Sequence, residues 1–309
     1  MDGILLINKE KGCTSHDVVY KVKKLLNEKV GHTGTLDPLA TGVLPLLIGK
    51  GTLCSKYLIN HDKKYQVVLQ LGKKTTTADI EGDVIDEQIV DKSIMSFKNV
   101  QNVLNTFVGK QEQIPPMYSA IKVNGKKLYE YARKGQAVEV KPRNIEIFEI
   151  KLINVDSTKQ QISFEVYCSK GTYIRSLCED IAKKMDTVGY MKELNRLQVG
   201  DFKIEDTITV AELKDTIEDT SKKIESSNDL KNEDPEMKIV SNKKCYISIE
   251  KLFENQPKID MDNKKLQLFL NGVKLTYNLN DGIYSIFNNN SFIGIGVVEK
   301  NLLKRDIVC

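Results

Sequence analysis

The chain has 309 residues, 40% of them hydrophobic and 28% charged, with a formal net charge of +4. That length predicts one large domain plus a smaller one, with an ample core. The composition is that of a soluble globular protein; no apolar run is long enough to span a bilayer, and so modest a charge does not by itself mark a nucleic-acid binder. The six cysteines, Cys13, Cys54, Cys168, Cys178, Cys245 and Cys309, are widely spaced, with no CxxC pair. This spacing argues against a zinc site and a disulfide framework and predicts reduced thiols. Residues Met1 to Lys9 open with an acid and break their apolar run early. That is unlike a secretory signal, and a cytoplasmic location is expected.

In chain order, residues 3 to 8 predict a buried strand, and Thr14 or Ser15 is placed to cap a helix carrying Val18, Val19, Val22, Leu25 and Leu26 at helical spacing. Lys21, Lys23 and Lys24 extend from that helix. Residues 31 to 45 (GHTGTLDPLATGVLP) form a loop dense in glycine, threonine and proline, with one carboxylate, Asp37, and one histidine, His32. Gly31, Gly34 and Gly42 permit close backbone approaches, and Pro38 biases Asp37 away from helix. The residues alone leave two readings open: local turn bonds from Asp37 and the threonines, or a fixed carboxylate presented to a ligand.

Tyr65, Val67, Leu69 and Leu71 alternate as one face of a half-buried strand. Ile162, Phe164, Val166 and Cys168 predict another, leading to a helix that Thr172 is placed to cap, with Arg175 in its first turn and Ile174, Leu177, Cys178, Ile181 and Met185 on its apolar stripe. Lys122, Lys126, Lys127, Arg133, Lys134, Lys141 and Arg143 make the stretch 121 to 143 basic, interleaved with Tyr129 and Tyr131; this reads as a solvated face or as an RNA contact. Residues 214 to 244 are polar and charged and read as a linker whose start is open to continuing a short helix. Beyond them, residues 283 to 287 and 292 to 298 predict a hairpin turning at Asn288, Asn289 and Asn290 in a small β-rich module. The mixture lacks a βαβ rhythm, so the expected fold class is α/β (α+β) around a mixed, largely antiparallel sheet flanked by helices. Gly42 to Gly51 lacks the phosphate-loop spacing, and Gly294-Ile295-Gly296 lacks the third glycine of a dinucleotide site.

Residues 31 to 45 closely resemble the signature GHxGxLDPxAxGxLP of the TruB family of tRNA pseudouridine synthases. Further motifs follow the family's order. Residues 9 to 15 resemble KPxGxTS with Glu10 in place of proline, and residues 63 to 72 resemble KxYxVxxxLG, followed by residues 75 to 82 (TTTADIEG). Residues 114 to 122 and 125 to 133 match the RNA-binding insertion, and residues 171 to 175 (GTYIR) match the arginine motif. Leu194-Asn195-Arg196 stands where the family more often has LRR.

The resemblance implies a pseudouridine synthase core over residues 1–213 with an RNA-binding insertion at about 112–143, a linker over 214–244 and a PUA-like module over 245–309. It implies isomerisation of the T-loop uridine of tRNA at position 55, breaking the N1–C1′ bond and rejoining through C5. Asp37 is then the catalytic carboxylate and Arg175 its counter-charge. Tyr65 packs on the target base and is the usual candidate for removing the C5 proton. His32 fills the space vacated when the base is extruded. Tyr173 and Leu194 line the substrate pocket, and Lys122, Lys126, Lys127 and Arg133 grip the T-arm. An isomerisation requires no cofactor and no metal; a monomer without membrane or obligate protein partner is expected. Two alternatives remain, a guide-dependent synthase acting in a ribonucleoprotein and a noncatalytic tRNA-binding or folding chaperone. The insertion and the reduced C-terminal module favour the standalone enzyme.

Overall fold

A computed structural model describes residues 1–136, 138–225 and 244–309. Its strands are β1 (Gly3–Lys9), β2 (Val30–His32), β3 (Thr41–Ile48), β4 (Lys63–Leu71), β5 (Lys73–Thr75), β6 (Val84–Glu87), β7 (Gly109–Gln113), β8 (Lys122–Val123), β9 (Lys126–Lys127), β10 (Arg143–Asp156), β11 (Gln161–Cys168), β12 (Gly189–Val199), β13 (Phe202–Lys203) and β14 (Tyr246–Ser248). Ten of them form one sheet, in the order β14-β1-β3-β12-β4-β11-β10-β7, with β2 beside β3 and β13 beside β12. All its strand pairs are antiparallel except β12 with β3, where Asn195 and Arg196 run beside Thr41 and Gly42. The mixed, largely antiparallel sheet expected from the sequence is therefore present. Tyr65, Val67, Leu69 and Leu71 are all buried on one face of β4.

Helices pack against this sheet. In α1 (Ser15–Leu26), Thr14 is the cap and exchanges bonds with Asp17 in a capping box, while Val18, Val19, Val22 and Leu26 are buried. The short α2 (Ser55–Leu58) follows β3, α3 (Phe97–Asn105) packs on β10, and α4 (Leu128–Ala132) lies in the insertion. In α5 (Ile174–Lys184), Ile174, Leu177, Cys178 and Ile181 are buried, and the helix packs on β12. Thr172 is not its cap: the Thr172 hydroxyl turns back to the Ser169 carbonyl (2.9 Å), and Tyr173 occupies the capping position without a side-chain bond.

Two findings bear on the expected domain limits. The helix α6 (Val210–Glu225) runs into the stretch read as a linker, because Leu213 and Ile217 are buried where it packs on α1 and β1. Residues 226–243 of that stretch lie outside the described residues. Beyond it, β14 belongs to the large sheet, pairing Gly3 with Ser248 and Leu5 with Tyr246.

The C-terminal strands β15 (Lys258–Asp260), β16 (Leu275–Thr276), β17 (Gly282–Asn288), β18 (Ser291–Glu299) and β19 (Leu302–Val308) form a second sheet. The β17–β18 hairpin turns at Asn289 and Asn290, both left-handed (φ 49° and 65°), the signature of a primed two-residue turn. This module has its own small core around Ile259, Phe269, Ile286 and Leu303, yet Ile249, Phe253, Ile295 and Ile307 belong to the main core. Tyr57 stacks edge-on against Phe253 (5.0 Å), and Lys56 and Tyr57 both bond Asp306. Phe253→Ala therefore opens the seam between the two units, and its expected cost is about 3–5 kcal/mol of whole-chain stability in denaturant unfolding.

Candidate functional site

The loop between β2 and β3 carries Asp37 and is fastened on both sides of it. Before Asp37, the Ser15 hydroxyl donates to the Leu36 carbonyl (3.1 Å) and accepts from the Leu36 N–H (2.9 Å). After it, the Pro38 carbonyl accepts from the Gly12 N–H (2.9 Å) and from Lys9 Nζ (3.2 Å). Lys9 is fully buried and also donates to the carbonyls of Glu10 (2.9 Å) and Cys13 (2.7 Å), so its charge is solvated by backbone oxygens. Leu36, Leu39 and Ala40 anchor the loop in the core. Gly42 ends it with φ 106°, and a Cβ there would lie 2.2 Å from the Arg196 carbonyl oxygen. Only glycine allows the parallel contact with β12.

Arg175, in the first turn of α5, reaches Asp37 with Nε (3.2 Å to Oδ2) and Nη2 (3.5 Å to Oδ1). The same guanidinium meets Asp79 (Nη1 to Oδ2, 3.5 Å) and donates to the carbonyls of Thr77 (3.2 Å) and Tyr118 (2.9 Å). The Asp37 side chain is 35% exposed, against 5% for Asp79, so Asp37 is the carboxylate that faces the opening. Burial raises the Asp37 carboxyl above the usual carboxylate range; Arg175 opposes that rise, and Asp79 adds to it. Arg175 thus offsets the burial without overcoming it.

Asp37, Tyr65, Tyr173, Arg175 and Leu194 line one narrow cavity of about 130 Å³, together with Leu36 and Met191. It adjoins a wider cleft of about 460 Å³ that reaches Lys63, Tyr118, Tyr129 and Arg196. Tyr173 is fixed by Gln113, whose side chain accepts from its N–H (2.8 Å) and donates to its carbonyl (3.0 Å). Burial pushes the Tyr65 phenol up to about 12, with the Arg196 guanidinium pulling the other way.

The other candidates lie outside this cavity. His32 is in β2 opposite Leu46, with Nδ1 buried and unpartnered among the described residues; burial lowers its pKa and keeps it neutral at pH 7. Lys122, Lys126 and Lys127 lie on the small β8–β9 hairpin, with Arg133 just after α4. Lys127 and Arg133 both sit over the Tyr129 ring, each 5.4 Å from its centre, which ties the basic surface to the cleft. Sequence reasoning did not single out Asp79, Lys9, Gln113 or Arg196 as site residues. Asp79, Lys9 and Arg196 lie in motif stretches that were read, but nothing local signals their long-range bonds. Among the described residues, no group of three or more His, Cys, Asp or Glu side chains is placed to hold a metal ion, and no helix is long and apolar enough to cross a membrane.

The family model for the N-terminal domain of TruB pseudouridylate synthases matches residues 22–174, and that for the C-terminal domain of tRNA pseudouridylate synthase B matches residues 175–232. A Clostridium kluyveri protein named tRNA pseudouridine synthase B is 41% identical over 305 residues, 96% of this chain and 96% of its own length. The chain belongs to the TruB family of pseudouridine synthases. A relative of the same name from Caldanaerobacter subterraneus is 39% identical over 97% of this chain and 96% of its own. In fold, this TruB chain is similar to the crystal structure of a Cbf5-Nop10-Gar1 complex, with 25% identity, a TM-score of 0.66 and coverage of 99% of this chain and 83% of that one. An archaeal Nop10-Cbf5 complex gives the same TM-score at 24% identity, covering 99% and 85%. The chain is therefore an isomerase of the pseudouridine synthase type.

The shared guanidinium generates a prediction. Asp79→Asn leaves Arg175 to Asp37 alone and removes a negative neighbour, so the Asp37 carboxyl, followed by carbon-13 NMR, is expected to titrate at lower pH than in the wild type. The stability sign follows from linkage. A carboxyl whose folded pKa is raised disfavours the folded state once pH exceeds that pKa, and this cost disappears below its unfolded pKa. The wild type is therefore expected to gain melting temperature relative to Asp37→Asn as pH falls from 7 into acid; a difference that does not change with pH would contradict the raised pKa.

Proposed function

We propose that this chain converts the T-loop uridine of tRNA to pseudouridine as a standalone enzyme, with Asp37 as the catalytic carboxylate. The observation that carries this reading is the meeting of Asp37, Arg175 and Tyr65 in one narrow cavity. Breaking N1–C1′ and rejoining through C5 needs a carboxylate beside the ribose and base, and the fastened loop holds one at a fixed point. The cavity has room for one extruded base, with Tyr65 and Leu194 as apolar walls and Arg175 favouring the charged form of Asp37. His32, at the end of β2, is the residue that fills the duplex where the base has left. Tyr173, clasped by Gln113, closes the pocket over the ribose.

Lys122, Lys126, Lys127 and Arg133 are the phosphate contacts of the insertion, and Tyr129 joins them to the cleft. The tRNA substrate is supported by the names of relatives that match the chain nearly end to end. The Cbf5 neighbours, which were solved with partner proteins, favour a second reading in which the chain acts within an assembly.

Tritium release from T-arm RNA labelled at uracil C5 separates these readings. Purified wild type is expected to release tritium from naked RNA without guide or partner, and Asp37→Asn to lose at least about 10²-fold in rate while keeping RNA affinity. Binding without release by the wild type would favour the assembly or chaperone reading. Removing the charges of Lys122 and Lys126 together is expected to flatten the dependence of log affinity on log salt by about 0.7–0.9 for each phosphate left unneutralised.

A further inference from the structure

Among the described residues, Arg196 is the largest side chain wholly withdrawn from water, only 1% exposed. Its Nε donates to the Val43 carbonyl and its Nη2 to the Gly34 carbonyl, both at 2.8 Å. Among the described residues it forms no ion pair with a carboxylate, in contrast to Arg175. A cation buried without an ion-paired carboxylate is costly, and a neutral donor would join the same strands at a lower desolvation penalty. The charge therefore calls for a use.

Register supplies one. Arg196 on β12 stands directly opposite Tyr65 on β4, so the two side chains share a face of the sheet, and the guanidinium lies beside the phenol hydroxyl. Both line the wider cleft with Asp37. The ionisable groups that act on Tyr65 are Arg196, Cys168 and Asp37, and Arg196 is the one that favours the phenolate.

We propose that Arg196 is a positioning residue for the proton-transfer half of the isomerisation, holding the Tyr65 hydroxyl at C5 of the bound base and stabilising the negative charge that grows on its oxygen. The proposal rests on the reading of the site given above. Once C1′ is bonded to C5, that carbon still carries its hydrogen, and N1 and C6 share a double bond. The Tyr65 oxygen takes the C5 proton as its own proton passes to water. The C–H pair becomes the C5–C6 double bond, and the C6–N1 pair returns to N1, which takes a proton from water. The phenol is regenerated, and atoms and charge balance.

The test compares Arg196→Gln, which keeps a donor for the carbonyls but no charge, with Arg196→Lys, which keeps the charge. Each is assayed for tritium release, RNA affinity and thermal melting. Arg196→Gln is expected to lose about 10²-fold in kcat with KM little changed, to show a larger deuterium isotope effect at C5 than wild type, and to add nothing further in a Tyr65→Phe background. Arg196→Lys is expected to retain more rate. Replacing Tyr65 with 3,5-difluorotyrosine, a more acidic phenol, is expected to restore part of the rate lost in Arg196→Gln; a purely structural strut would show no such rescue. A wild-type chain that releases no tritium overturns the functional reading and this proposal together. Full activity in Arg196→Gln, additive losses with Tyr65→Phe, or failure of both Arg196 variants to fold and bind RNA overturns the proposal alone.

Discussion

Three cations are withdrawn from water around a single carboxylate, and the rest of the site depends on how they are held. Lys9, Arg175 and Arg196 all favour the ionised form of Asp37, and all three direct N–H groups at backbone carbonyls. Carbonyl oxygens solvate a buried cation without cancelling its charge, so a positive potential remains at Asp37. Had each cation met its own carboxylate, the ion pairs would have been locally neutral and the loop would have had no such field. Arg175 alone is partly neutralised, by Asp79, which adds to the rise that burial imposes on the Asp37 carboxyl.

The same bonds are structural ties. Lys9 ends β1 and holds Pro38; Arg196 lies in β12 and holds Gly34 and Val43; Arg175 begins α5 and reaches the insertion through Tyr118. The Asp37 loop is thus fastened to strands β1, β3 and β12 of one continuous sheet, and the insertion is joined to the same guanidinium that meets Asp37. The large sheet also recruits β14 from beyond residues 226–243, and the C-terminal module shares the main core through Phe253, Ile295 and Ile307. Cutting the chain after α6 would remove an edge strand and core side chains along with the module, so such a fragment cannot isolate the module.

What the sequence made legible is what short-range rules write. Thr14 with Asp17 marks a helix start, alternation marks the buried face of β4, paired asparagines mark the β17–β18 turn, and glycine with Pro38 marks the Asp37 loop. The TruB motifs added the expectation that Asp37, Tyr65, Tyr173, Arg175 and Leu194 converge, and they line one cavity. The illegible part is long-range. No local pattern tells that the Arg196 fork will close on Gly34 and Val43, that Gln113 will clasp Tyr173, or that Asp79 will share Arg175. Thr172 misled because a hydroxyl two residues before a helix has a nearer acceptor, the Ser169 carbonyl. The start of the linker stretch was open to a short helix, and α6 continues into it because Ile217 is buried there.

In the proposed reading, the exposed third of the Asp37 side chain is where the substrate enters, and its entry changes the electrostatics. An RNA seated over the cleft would displace most of the water around Asp37, which deepens the desolvation of the carboxylate and strengthens every charge interaction left inside. In the open cleft, solvent shares the work of keeping Asp37 ionised; in the closed one, fixed groups carry most of it. Cations held rigidly by carbonyls need no reorganisation at that moment, whereas flexible surface lysines would have to be ordered first. On that reading the site is arranged for its covered state, and the raised carboxyl and the buried cation that pairs with no carboxylate are the local inconsistency that a functional site leaves in a fold.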